Sequence, residues 1–329
     1  MTKPLLKPDE PLLDIVSLAR RGPSGRLSLA EVELLVRTLR RTPEVMVKVS
    51  GGATTTGGAL AHLRYIDRRG ELEIETDEAA KLQGADSERD VMEDWELDAL
   101  ASRSKAPYRG TPGRKPAKLL HNIVLSMPAG TSPEKLLAAS RNFAREEFAL
   151  KHRYLMVLHT DQEHPHVHLV VKAVSEEGKR LNIRKATLRG WRREFAAQLR
   201  AHGIAANATE RVVRGQVRPP VRDGIYRSAQ RGNSRRVRQR LEHLVRNPGA
   251  VNDNGDPGAA TLQETRRKVV EAWGVVSSQL LVAGHPLADT VWGFLGNMPK
   301  PQTEQAVFKN KVERQLERDR HPKRDERTR

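Results

Sequence analysis

Two apolar runs joined by a short polar turn occupy the middle of the chain. Tyr154-Leu-Met-Val-Leu-His159 is the first, Thr160 to Glu163 is the turn, and His164 to Val174 is the second. Runs of this length around a polar turn predict a β-hairpin. Side chains alternate along a strand, so His164, His166 and His168 share one face while Val167, Leu169 and Val171 share the other, which can be core. If the turn closes with His159 opposite His164, up to four imidazoles project from one sheet surface. Further strands are expected at Val45 to Val49 and at about Leu119 to Met127.

Elsewhere the apolar period becomes helical. Ser28-Leu-Ala-Glu31 resembles a capping box before Val32 to Leu39. Gly58 to Arg69 reads as a short helix with Leu60, Leu63 and Ile66 inward, Tyr65 off that stripe and Gly70 at its end. Thr131-Ser-Pro-Glu134 starts a helix reaching to about Leu150. Lys185 to His202 places Trp191, Phe195 and Leu199 at helical spacing, and Gln263 to Leu281 does the same for Trp273 and Val276. Gly51 to Gly58 reads as a flexible connection. It is not a phosphate-binding P-loop, because no Lys-Ser or Lys-Thr follows its glycines. The order of elements suggests an α+β fold, a sheet with helices packed on one face and the histidines on the other.

Charge narrows the partner. The chain has 329 residues and a formal net charge of +17, which implies a polyanion, nucleic acid first and acidic membrane second. Eleven arginines and no lysine lie between Arg211 and Arg246, against only Asp223 and Glu242. Charge runs are commonly solvated linkers, but arginine's planar fork suits phosphate, so this strip, which includes Arg235 and Arg236, reads as a flexible or partly helical DNA contact. Glu71 to Asp98 is the reverse, with twelve acidic and two basic residues, and reads as a solvated flap or an ordinary acidic surface. No apolar stretch approaches about 20 residues and no signal-peptide core opens the chain, so neither a membrane span nor export is expected. The absence of cysteine excludes disulfides and thiolate metal sites and is compatible with a cytoplasmic location.

Grouped imidazoles repel when protonated and stabilise a strand less than apolar residues do, so four in ten residues point to a divalent ion. An imidazole set without thiolates fits zinc, manganese or nickel. Asp161 has two ordinary roles, orienting a ligand histidine or bonding its own turn.

His159-x-Asp161-x-x-His164-Pro-His166-Val-His168 resembles the three-histidine motif of relaxases, tyrosine endonucleases that nick plasmid DNA for conjugative mobilisation. They fall within the HUH endonuclease class, named for a histidine pair flanking one hydrophobic residue, as His166-Val167-His168 do. Leu63-Arg-Tyr-Ile-Asp-Arg-Arg-Gly-Glu-Leu-Glu-Ile74 is similar to the nucleophile segment of the relaxase group that includes the T-DNA border-nicking enzyme. Arg200-Ala-His-Gly-Ile204 and Ala208 to Gly215 continue the likeness.

The resemblance implies a nuclease domain over residues 44–216 with a central antiparallel sheet. Residues 1–43 are then a helical N-terminal extension and 217–329 a basic, helical or partly disordered C-terminal region. It implies Tyr65 as the nucleophile that becomes joined to a DNA 5′ phosphate, and His159, His166 and His168 as ligands of a divalent ion, magnesium or manganese first. Asp161 and His164 are further catalytic candidates; His164 departs from the simplest family pattern, and ligation, proton transfer and DNA contact are all open to it. Arg64, Arg68 and Arg69 would surround Tyr65 with charge suited to phosphate. The implied partners are single-stranded plasmid DNA at an origin of transfer, mobilisation accessory proteins and a secretion coupling protein. Two other readings fit the histidines: a metal-dependent hydrolase using water, and a non-enzymatic DNA-binding mobilisation protein with a structural ion.

Overall fold

The computed structural model describes residues 15–105, 117–216 and 257–303, with isolated positions at 235, 238, 239, 242, 306, 307 and 310. Of the arginine strip, residues 217 to 234, Arg236, Arg240 and Arg246 lie outside the described residues, as do Tyr108, Tyr226 and the tail from 311 onward. The described chain divides into two units, one holding residues 40–208 and the other residues 13–39 together with the chain from 209 onward.

The first unit is built on a six-stranded sheet in the order β1-β4-β6-β5-β2-β3. The strands are β1 (Met46–Ala53), β2 (Ile74–Thr76), β3 (Lys81–Leu82), β4 (Leu120–Ser126), β5 (Tyr154–His159) and β6 (His166–Lys172). Every strand pairing is antiparallel. The chain has the α+β fold expected.

On one face Val47, Ile123, Leu125, Met156, Val167, Leu169 and Val171 meet α6 (Pro133–Phe148) and α7 (Lys185–Ala201). Phe143, Phe148, Trp191 and Phe195 form an aromatic cluster there, with centroids 5.3–6.5 Å apart. Edge-to-face pairs of this kind add about 0.5–1.5 kcal/mol each beyond the area they bury. The start of α6 follows the sequence closely: Pro133 opens it, and the Ser132 side chain accepts from Lys135 N.

The second face is not bare. Leu120, Leu155, Val157 and Val170 are covered by α3 (Thr56–Ile66), α4 (Ser87–Asp94) and α5 (Leu97–Lys105) through Leu63, Ile66, Val91, Trp95 and Leu97. The acidic segment is therefore core-bearing. Ile74, Glu75 and Thr76 are buried in β2, Trp95 is buried in the cluster, and the carboxylates of Glu75 and Glu88 pair with Arg141 and Arg64. Charge counts hid an apolar stripe carried by Ile74, Val91, Trp95 and Leu97.

Gly51 to Ala53 belong to β1 rather than to a flexible connection. A bulge between Val49 and Gly51 lets the strand continue, and Gly52, at φ 134°, lies so close to β4 that a Cβ would stand 2.2 Å from Leu120 O.

The second unit is helical. Ile15 and Leu18 of α1 (Ile15–Ala19) and Leu35 and Leu39 of α2 (Leu29–Leu39) share one apolar core with α8 (Pro257–Val282) and α9 (Leu287–Gly296). Gln279 donates to the carbonyls of Leu18 and Gly22, fastening α8 to the turn after α1.

Candidate active site

The hairpin supplies the site. Residues directly opposite in antiparallel strands point to the same side, and the register is His159↔His166 and Val157↔His168. His159, His166 and His168 thus share the face on which α3 lies. The turn does not close at His164. Pro165 has no N–H for the ladder, and its carbonyl is taken by Ser126 Oγ at 3.2 Å, so β6 begins one residue later. His164 stays exposed, accepts at Nδ1 from Ala129 N at 2.9 Å, and does not join the other three.

Those three are buried, at 1%, 8% and 7% exposure for His159, His166 and His168. Their ring centroids are 4.5–5.2 Å apart, and one nitrogen from each lies within 4.8 Å of the others. The hydrogen bonds decide which nitrogens are available. His166 Nδ1 donates to the His164 carbonyl at 3.1 Å, leaving Nε2 bare. The Asn122 amide meets His168 Nδ1 at both its ends, Nδ2 at 3.0 Å and Oδ1 at 3.2 Å. Asn122 Nδ2 is used by Ser50 Oγ at 2.7 Å, so the consistent arrangement has His168 Nδ1–H donating to Oδ1, again leaving Nε2 bare. His159 is reversed: Nε2 donates to the Ile66 carbonyl at 2.6 Å, and the lone pair is on Nδ1. Three imidazoles with committed second nitrogens fit a divalent ion, and a donor set of imidazoles without thiolates is compatible with zinc, nickel or manganese.

Burial favours the neutral form of two of the three rings. It lowers the pKa of His159, opposed by the hydrogen bond to Ile66, and together with the neighbouring imidazoles it brings His168 down to about 3. The lone pairs of His159 and His168 therefore stay unprotonated at neutral pH. His62, on α3 one turn before Tyr65, is half-buried; burial lowers its pKa too, opposed by a hydrogen bond that the ring donates to Asn122.

Helix α3 brings the tyrosine. Thr55 caps it by accepting from Gly58 N at 3.1 Å, and Ala59, Leu63 and Ile66 face inward, with Leu60 only half-buried. The helix ends at Ile66 rather than Arg69. Arg68, Arg69 and Gly70 all have positive φ, at 56°, 62° and 84°, and the buried Asp67 carboxylate accepts from Arg69 N at 2.8 Å to hold the turn. Burial raises the Asp67 pKa against that bond. Left-handed backbone at two arginines costs about 1–2 kcal/mol each.

Tyr65 is 58% exposed and the Arg68 guanidinium lies 5.3 Å from its ring centroid. Arg68 also donates to the Tyr65 carbonyl at 3.1 Å, to Asp161 Oδ2 at 2.6 Å, and to His159 Nδ1 at 3.3 Å. One side chain thus joins the tyrosine to the histidines. Asp161 stands 3.8 Å from His159 Nδ1 and reaches that ring through Arg68 instead. Arg64 is turned to the buried Glu88 at 2.5 Å, whereas the Arg69 side chain is exposed, and Arg235 is itself helical and exposed. Asn122, Ser50 and the Ile66 carbonyl escaped sequence reading, since each acts through a long-range contact without a spacing of its own.

Residues 65–204 match the family model described as "Relaxase: MobA/VirD2-like, nuclease domain". The chain is 28% identical over 215 residues to the T-DNA border endonuclease VirD2 of Agrobacterium fabrum strain C58, covering 59% of this chain and 46% of that protein. It is 25% identical over 222 residues to the T-DNA border endonuclease VirD2 of Rhizobium rhizogenes, with 59% and 47% covered. It spans about half the length of these curated relatives. A solved structure described as "Molecular Basis of Vancomycin Resistance Transfer in Staphylococcus aureus" aligns with a TM-score of 0.32 and 13% identity, over 51% of this chain and 99% of that one. Over residues 65–204 the chain is thus similar to relaxase nuclease domains of the MobA/VirD2-like class.

Proposed function

We propose that this chain is a site- and strand-specific DNA nicking enzyme that uses Tyr65 as nucleophile beside an ion held by His159, His166 and His168. The observation that carries the reading is the link from the Tyr65 ring through Arg68 to His159, in a domain of relaxase type. The Tyr65 hydroxyl oxygen attacks the phosphorus of a single-stranded DNA phosphodiester. The bond to the 3′ oxygen breaks, the phenol's proton is lost, and the leaving oxygen gains one, giving a 5′-phosphotyrosine link and a 3′ hydroxyl. One ester replaces another, so nothing is oxidised and the linkage energy is kept for rejoining.

A divalent ion, magnesium or manganese by preference, would supply positive charge beside the non-bridging oxygens. The protein's own part is to keep His159 and His168 neutral, to fix the tautomers of all three rings through Asn122, the His164 carbonyl and the Ile66 carbonyl, and to exclude water from the ligand face by burial. Arg69, Arg235 and Arg236 are assigned to the DNA backbone. The substrate is an origin of transfer on plasmid DNA in the cytoplasm, and mobilisation accessory proteins and a secretion coupling protein are its partners. No helix among the described residues is long and apolar enough to cross a membrane.

Mass spectrometry tests the assignment. After incubation with single-stranded oligonucleotides and manganese, the wild type should yield a nucleotide-linked peptide containing Tyr65. Tyr65→Phe should lose the adduct and keep its manganese affinity; persistence of nicking in that variant would show that water or another residue attacks.

A further inference from the structure

Arg68 occupies the one lone pair that His159 has to offer. Because Nε2 donates to the Ile66 carbonyl at 2.6 Å, a metal drawing on His159 has only Nδ1 to bind. Arg68 Nη2 lies 3.3 Å from that Nδ1. A ring nitrogen has a single in-plane lone pair, so it accepts a hydrogen bond or ligates an ion, not both. The two candidates for this position, guanidinium and divalent cation, also repel each other.

We infer that Arg68 is a switch: its guanidinium stands in for the metal's charge when the site is empty, and is displaced toward the DNA phosphate when the ion binds. This rests on the reading of the triad as a metal site and adds a coupling to it. Three features of the fold suit a side chain that must move. Arg68 lies just past the end of α3, in a left-handed turn, outside the helix's hydrogen-bonded ladder. Its partner Asp161 is exposed, on the loop between β5 and β6, so the ion pair that holds it is solvated and weak. Its guanidinium already lies 5.3 Å from the centroid of the Tyr65 ring, beside the side chain that would meet the phosphate.

Occupancy of the two sites is then linked. An ion that takes Nδ1 of His159 frees Arg68 for phosphate, and a phosphate that draws Arg68 away exposes Nδ1 to the ion. Linkage requires that each ligand tighten the other by one and the same factor. Asp161, left without its guanidinium, would then face the ion from 3.8 Å of the same nitrogen. It becomes a carboxylate near the metal only in the loaded state, a role its spacing from the histidines does not reveal.

Titration calorimetry with manganese, in a Tyr65→Phe background that prevents cleavage, separates the terms. Arg68→Gln and Arg68→Asn, the second chosen because asparagine tolerates a positive φ, should bind manganese at least about fivefold tighter than the parent, the lower end of ordinary coupling between sites. Oligothymidylate should tighten manganese binding to the parent by a similar factor, and manganese should tighten oligothymidylate binding equally. Neither effect should survive in the Arg68 variants. If both variants bind manganese no better than the parent, or if the coupling persists without Arg68, the switch is wrong while the triad stands. If neither parent nor variants bind a divalent ion, both the triad reading and the switch fall.

Discussion

An imidazole presents a lone pair in a fixed direction only when its other nitrogen is committed elsewhere, and Asn122 does this for His168. The asparagine is 3% exposed and is itself held by Ser50 Oγ, so a chain of two hydrogen bonds runs from the edge strand β1 to His168. Removing such a support ordinarily costs about 10- to 100-fold in metal affinity. Asn122→Ala should therefore weaken manganese binding by about that factor in calorimetry, with an unchanged far-ultraviolet circular dichroism spectrum. Asn122→Asp keeps an acceptor for Nδ1–H and should retain most of the affinity. The histidines were legible because strand alternation is written into their spacing; Asn122, 46 residues earlier in sequence, has no such mark. Sequence spacing also put His164 on the histidine face, and it failed there because Pro165 interrupts the ladder between them.

At the level of elements, the hairpin, β4, α6 and α7 follow closely from apolar periodicity, and the strands and helices between Glu71 and Asp98 do not. Two or three apolar residues per element among twelve carboxylates give a weak period, and β2 gains its burial from β5, almost eighty residues away. The same segment changes the meaning of Arg64. Its guanidinium satisfies Glu88, whose side chain is 2% exposed, so the residue supports the α3–α4 contact. A carboxylate left in that position without its partner costs about 1–3 kcal/mol, the penalty for an unsatisfied buried acceptor. Arg64→Ala should lower the thermal unfolding midpoint by several degrees while changing affinity for single-stranded DNA little. Arg69→Ala, whose side chain is exposed, should do the opposite. Equal DNA losses in the two variants would mean that Arg64 leaves Glu88 to reach phosphate.

Across the whole molecule, the first residues and the last described helices answer to one core, which no local pattern discloses. Ile15, Leu18, Leu35 and Leu39 are each at most 6% exposed, and they share that core with Trp273, Val276, Leu280 and Val291, all at 0%. Fully burying an aliphatic side chain contributes about 1.5–3 kcal/mol. Four of them removed together forfeit about 6–12 kcal/mol, which is comparable with the whole stability of a domain, about 5–15 kcal/mol. A chain beginning at residue 40 should therefore lose the C-terminal helices as a folded unit. The sheet unit draws its cores from residues 45 to 208 and should persist. Limited proteolysis distinguishes the outcomes: cleavage of the truncated chain should move into Pro257–Val282 and spare β4 to β6. The near-ultraviolet signal of Trp273, which donates to the Val213 carbonyl at 3.0 Å, should fade. Protection of α8 in the truncated chain would show that α8 and α9 form a core without the N-terminal helices.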